Sequence, residues 1–198
     1  MYYERTMIAN NTFTDNGTLM NYADCESTSL PQIDGNVLTN CTFARSSTEK
    51  HSGSYSYKLT KTIAAGTGAS ALFTDNSITT DMHGMLLKQG GYRLSLWVYI
   101  PTSGGCLPGE VRVRMNQYYS AAWHTEEVIP TEQDEWEYIE VDITLNAAVT
   151  GMLSYIQIES PAANTEFLYV DDIRLTPLGI ANEHSQHLED NGVGTILS

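Results

Sequence analysis

Glu49-Lys50-His51-Ser52-Gly53-Ser54-Tyr55-Ser56-Tyr57-Lys58-Leu59 and Phe167-Leu168-Tyr169-Val170-Asp171-Asp172-Ile173-Arg174-Leu175 are the two stretches that decide the fold. The first couples a polar, glycine-containing turn to alternating side chains. The second is an apolar strand carrying two adjacent acids, which are costly to bury unless a cation or hydrogen bonds compensate them. More than a hundred residues apart, they read as the two ends of one β-sandwich.

The chain between them repeats the period-two habit of half-buried strands. Tyr92, Leu94, Leu96, Val98 and Ile100 place apolar side chains on one face of a strand, and Arg93, Ser95, Trp97 and Tyr99 face the other way. Val111 to Met115 alternates in the same manner, as does Trp136 to Ile143. Breaks at Gly90-Gly91, Pro101 to Pro108 and Pro130 to Asp134 have sandwich spacing. Only Thr79 to Gln89 hints at a short helical turn. The expected class is all-β, an antiparallel sandwich or jelly roll, divided into an N-terminal arm (1–20), a sandwich body (21–176) and a C-terminal tail (177–198).

Composition narrows the function classes. The 198 residues suffice for one well-buried sandwich with terminal extensions. With 24 acidic against 10 basic residues the formal charge is -14, so the long-range field repels nucleic acid and anionic lipid. No run has the apolar length of a membrane-spanning helix, and Met1 to Met7 lacks the organisation of a secretory signal. The Ser, Thr, Asn and Gly content with few lysines nevertheless suits an exposed surface domain. Cys25, Cys41 and Cys106 cannot all pair within the chain and lack zinc spacing, so free thiols filling sandwich positions are expected.

The order of motifs resembles the carbohydrate-binding-module jelly rolls of the family 4/9/22 type, a galactose-binding-like sandwich. The resemblance covers residues 21–176: an early acidic segment, the HSGxYS-type turn at His51, Tyr92-Arg93-Leu94-Ser95-Leu96-Trp97-Val98, Val111-Arg112-Val113-Arg114, a Trp-led strand at Trp136, and Val170-Asp171-Asp172-Ile173. It departs at Tyr22-Ala23-Asp24-Cys25-Glu26, where these modules carry Asn-Gly-Asp-Phe-Glu.

The resemblance implies a structural calcium ion (Ca2+), held by the side chains of Glu26 and Asp171, with Glu49 as a further candidate and a carbonyl oxygen from Lys50 or Ser52. Asp172 alternates to the opposite side of the strand and is expected to be left out. The alternative is that these acids accept hydrogen bonds from turn amides without metal. The resemblance also implies a glycan partner, bound by aromatic rings laid against the apolar faces of sugars. Trp97, Tyr99, Tyr118, Tyr119 and Trp123 are the candidate rings, with Arg112 and Gln117 as added donors. Tyr118 to His124 reads as an aromatic-dense connection after the Val111 strand.

Catalysis finds no matching constellation. Glu126-Glu127, Asp142 and Asp171-Asp172 supply carboxylates, but no pair is set across a cleft as glycoside hydrolysis requires. Gln157-Ile158-Glu159 lacks the histidine of the jelly-roll polysaccharide lyases. His184 and His187 have helical metal-pair spacing without further ligands. The expected function is therefore a non-catalytic surface-binding or assembly module. The expected setting is a phage virion structural, decoration or tail protein on the virion surface. The alternative is a module excised from a secreted polysaccharide-degrading enzyme, extracellular or on a cell surface. Short apolar pieces at Leu178-Gly179-Ile180 and Val193 to Leu197 suit docking on other virion or surface proteins or in a homo-oligomer.

Overall fold

A computed structural model describes residues 25–26, 38–63, 68–72, 90–159 and 165–178. The expected helical turn at Thr79 to Gln89, both histidines of the tail, the arm (1–20) and the tail beyond Leu178 lie outside these residues.

Among the described residues ten strands form two antiparallel five-stranded sheets. They are β1 (Leu38–Thr39), β2 (Cys41–Ser46), β3 (Ser56–Lys61), β4 (Ala69–Leu72), β5 (Gly91–Tyr99), β6 (Val111–Tyr119), β7 (Ala122–Val128), β8 (Trp136–Thr144), β9 (Gly151–Ile158) and β10 (Phe167–Leu178). One sheet runs β1-β4-β9-β6-β7 and the other β2-β3-β10-β5-β8. Among the described residues the only helical elements are two short 3-10 turns, at Thr102–Gly104 and Pro108–Glu110. The all-β sandwich expected from the alternation is what the chain forms.

Alternation decides which side chains enter the core. Leu94, Leu96 and Val98 of β5 meet Val111, Val113 and Met115 of β6, Ile139, Val141 and Ile143 of β8, Met152, Ile156 and Ile158 of β9, and Leu168, Val170, Ile173 and Leu175 of β10. Each aliphatic side chain buried in full contributes about 1.5–3 kcal/mol. Cys25 and Cys106 are buried in the same core, Cys41 lies at its margin, and all three are free thiols. Burial pushes the Cys106 thiol up to about 12 and the Cys41 thiol up to about 11, so neither is a nucleophile at neutral pH.

Three local outcomes differ from the sequence reading. The aromatic connection Tyr118 to His124 is a hairpin of two strands: Ser120 and Ala121, both with positive φ (52° and 59°), form its tight turn, and β6 runs on to Tyr119. Strand β10 runs on to Leu178, pairing Pro177 with Tyr92 and Leu178 with Gly91, two residues past the expected boundary at 176. Finally, β10 bulges between Asp171 and Arg174, with Asp172 at φ 48°. Such a bulge breaks strict alternation. Asp171 and Asp172 consequently reach the same loop, where unbroken alternation would have set them on opposite sides.

Candidate functional site

The outer face of the β2-β3-β10-β5-β8 sheet carries two cross-strand rows. Lys58, Tyr169, Tyr99 and Trp136 are successive partners in one, and Asp171, Trp97 and Tyr138 in the next. The loop between β2 and β3 closes over them. Asp171, fully buried, accepts the His51 and Ser52 amides through Oδ2 (2.9 and 3.1 Å) and the Asp172 amide through Oδ1 (2.8 Å). Asp172 Oδ2 accepts the Ser52 hydroxyl (3.0 Å) and meets His51 Nδ1 (3.1 Å). Glu26 Oε1 accepts the Ser54 and Tyr55 amides (2.6 and 3.0 Å). Gly53 is required in the turn: its φ is +58°, and a Cβ there would collide with the Glu26 carboxylate.

This clasp lays the His51 imidazole flat on Trp97, with centroids 3.8 Å apart and planes at 15°. Trp97 therefore has one ring face covered. Tyr99 tilts against Trp136 (5.4 Å) and Tyr169 (6.3 Å), filling the same layer. Of these two candidate ligand rings, Trp97 is covered by His51 and Tyr99 is half-buried among its ring neighbours.

The residues expected at a calcium ion can be tested against this bonding. The donor set, carboxylate and carbonyl oxygen, suits a hard cation. Burial pushes the Asp171 carboxyl up, against the pull of the Ser52, Asp172 and His51 amides, and a cation would add to that pull. The contacts point elsewhere: Glu26 and Asp171 hold turn amides, Glu49 offers its carbonyl to the Ser56 hydroxyl (2.5 Å), and Arg45 donates to the Cys25 and Glu26 carbonyls (3.0 and 3.1 Å). No group of three or more His, Cys, Asp or Glu suited to a metal occurs among the described residues. The set fits calcium in donor chemistry, and its contacts give the turn a hydrogen-bonded support of its own.

The outer face of the other sheet has no such loop across its described strands. Alternation of β6 sends Arg112, Arg114, Asn116 and Tyr118 outward, between Trp123, Thr125 and Glu127 of β7 and Leu153, Tyr155 and Gln157 of β9. At the hairpin end, Trp123 pairs with Tyr118 (centroids 5.1 Å, 56°) and is 43% exposed. At the other end the planar polar groups interlock. Arg114 donates through Nε to Glu127 (2.6 Å) and through Nη1 to Gln157 (2.6 Å) and Glu159 (2.8 Å), while Arg112 Nε lies 3.5 Å from Glu159. Between these ends, Asn116 Nδ2 donates to the Tyr155 hydroxyl (3.1 Å).

The sequence-expected ligand residues thus divide. Arg112, Tyr118 and Trp123 share this face; Trp97 and Tyr99 belong to the opposite sheet. Gln117 points inward and braces the sheets, donating to the Thr144 carbonyl (3.0 Å) and accepting the Asn146 amide (2.8 Å). Tyr119 also alternates away from Trp123 and stacks on His124 (3.8 Å, 12°). Sequence reasoning missed Arg114, Asn116, Tyr155, Gln157 and Glu159. Extending the β6 alternation past Met115, and reading the same period in Ser154 to Ile158, would have found them.

No family model and no curated protein matches this chain. Solved structures do resemble it. A carbohydrate-binding module of the β-sandwich superfamily, described for promiscuous specificity, has a TM-score of 0.58 at 14% identity over 81% of this chain and 62% of that one. A family 16 carbohydrate-binding module gives 0.50 at 16%, over 70% and 89%. A family 22 xylan-binding domain from Paenibacillus barcinonensis gives 0.52 at 14%, over 71% and 84%. The chain spans less than two thirds of the first of these. At such identities the likeness is one of fold.

Proposed function

We propose that this protein is a non-catalytic glycan-binding β-sandwich whose ligand surface is the outer face of the β1-β4-β9-β6-β7 sheet. One observation carries the reading: an exposed tryptophan, Trp123, adjoins a row of planar polar side chains, so a sugar chain lying along the strands meets a stacking ring and hydrogen-bonding groups on one continuous surface. The fold likeness to carbohydrate-binding modules supports it. The glycan is neutral in this reading, since both guanidinium groups of the face are already paired with Glu127 and Glu159 and the chain carries a charge of -14. A glycan array, run with calcium and with chelator, tests it. Neutral oligosaccharide binding is expected, and no binding to any neutral glycan would overturn it.

Calcium at Glu26, Glu49, Ser52 and Asp171 is a separate proposal, supported by the oxygen-bearing side chains and carbonyls of these residues and by the full burial of the Asp171 carboxylate, which a cation would compensate as its turn amides do. A ligand that binds only the folded state raises its stability. Chelator should then lower the melting temperature of the wild type and not of Asp171→Ala, and an unchanged melting temperature in the wild type would remove calcium from the account. Two settings suit a binding sandwich: a phage virion surface component, or a module of a polysaccharide-degrading enzyme. The fold likeness supports the second at least as well, and genomic neighbours distinguish them. In the virion setting, truncation after Leu178 should leave the sandwich folded and reduce oligomer formation; unchanged assembly would exclude the tail as an assembly element.

A further inference from the structure

Asn116 stands on the floor of the proposed glycan face, level with Thr125 on β7 and Leu153 on β9, between the aromatic end and the ion-paired end. It is only 9% exposed. Its Nδ2 donates to the Tyr155 hydroxyl at 3.1 Å, but its Oδ1 is buried with no hydrogen-bond partner. A buried amide oxygen without a donor is a deficit that a folded protein normally removes, and such deficits call for a specific explanation. The unmet atom is one end of the carboxamide: in the orientation that donates to Tyr155 it is the carbonyl oxygen and lacks a donor, in the reverse orientation it is the amino group and lacks an acceptor, and a sugar hydroxyl supplies either. Tyr155 has the complementary need. Its oxygen already accepts from Asn116, and no acceptor for its own phenolic proton lies within hydrogen-bonding distance among the described residues.

We propose that Asn116 and Tyr155 are the specificity-determining pair of this face, reading a vicinal diol on the sugar unit seated between Trp123 and Arg114. Tyr155 donates its phenolic proton to one hydroxyl oxygen. The neighbouring hydroxyl donates to Asn116 Oδ1, which the sugar reaches by displacing the Tyr155 ring. Asn116 thus positions the tyrosine in the free protein and contacts the ligand in the complex. The inference rests on the glycan-binding reading of this face and adds to it a requirement for an unsubstituted diol.

Titration calorimetry and thermal unfolding on the full chain test it, using xylohexaose, cellohexaose and mannohexaose, whose inner units carry a free vicinal diol, and laminarihexaose, whose inner units carry none and whose tightest binding would overturn the inference. Taking the tightest binder, Tyr155→Phe should weaken affinity about tenfold, the loss of one well-placed hydrogen bond, with the melting temperature nearly unchanged. Asn116→Leu removes the orphaned carbonyl. It should weaken affinity by at least as much while the melting temperature holds or rises. Asn116→Asp keeps the shape but draws the phenolic proton inward, and should weaken binding as Tyr155→Phe does. Affinities within twofold of wild type for Tyr155→Phe and Asn116→Leu would overturn the inference while leaving the glycan reading intact. So would affinity and stability falling together in Asn116→Leu, the mark of a purely structural residue. Wild type that binds none of the four probes would overturn the glycan reading, and this inference with it.

Discussion

The two outer faces of the sandwich are built from the same alternation and end in opposite states. On the β2-β3-β10-β5-β8 sheet, Trp97, Tyr99, Trp136 and Tyr169 form an aromatic layer that the 47–55 loop closes, with His51 flat on Trp97. On the β1-β4-β9-β6-β7 sheet, Trp123 and Tyr118 adjoin a polar lattice of Arg112, Arg114, Gln157 and Glu159, and Trp123 remains exposed. The clasped face holds more aromatic rings, and Tyr138 beside Trp97 is 48% exposed, yet the open face is the one we propose as the binding surface, because there the exposed ring adjoins the polar lattice. What separates them is the clasp: Asp171, Asp172 and Glu26 hold the loop over one sheet, and among the described residues no equivalent acids serve the other. Ring content alone is therefore a poor guide to a ligand platform, because a stacked neighbour such as His51 turns a platform into a layer of the fold.

The comparison breaks most readily at the clasp. Asp171→Ala strips the acceptor from the His51, Ser52 and Asp172 amides and leaves a cavity in a fully buried position, so stability should fall by about 3 kcal/mol or more. Denaturant unfolding measures this, and a loss below about 1 kcal/mol would mean the clasp does not hold the loop. Gly53→Ala should cost about 1–2 kcal/mol, since the new Cβ meets the Glu26 carboxylate at a left-handed residue. Quenching of Trp97 fluorescence by an added small solute should rise in the same variant as His51 lifts; unchanged quenching would show that the lid does not depend on the turn. The smallest effect belongs to the far end of the closed face, where Arg93 and Asp142 form an exposed pair. The Arg93 hydrogen bond holds the Asp142 carboxyl below its ordinary range. Its contribution is present above about pH 4 and lost as pH falls through the lowered folded value. Exposure screens the pair, so Asp142→Asn should change stability by about 0.5 kcal/mol or less at neutral pH.

Much of this fold could be read from residues alone. The alternation of Tyr92 to Ile100, Val111 to Met115 and Trp136 to Ile143 located β5, the start of β6, and β8, because one face of each strand is buried in the shared core. Strand β7 could not be found that way: all but one of its residues are exposed, so Ala-Trp-His-Thr-Glu-Glu-Val carries no burial signal. The site was legible only in part. Arg112, Tyr118 and Trp123 were identifiable as residue types, but the face they share was hidden because Asn116 and Gln117 are both nearly buried and interrupt the apolar pattern. The direction of Asp172 was equally out of reach, since a left-handed aspartate in a bulge leaves no mark in the alternation.

The central claim, that the open face and not the closed one binds glycan, is tested most directly by calorimetric titration of Trp123→Ala and Trp97→Ala with the neutral oligosaccharide that binds the wild type. The account predicts that Trp123→Ala loses about tenfold or more in affinity while unfolding as the wild type does. It also predicts that Trp97→Ala, though less stable, binds within about twofold of the wild type, well short of that tenfold step. Wild-type affinity in Trp123→Ala together with lost binding in a folded Trp97→Ala would contradict it and move the ligand to the face beneath His51.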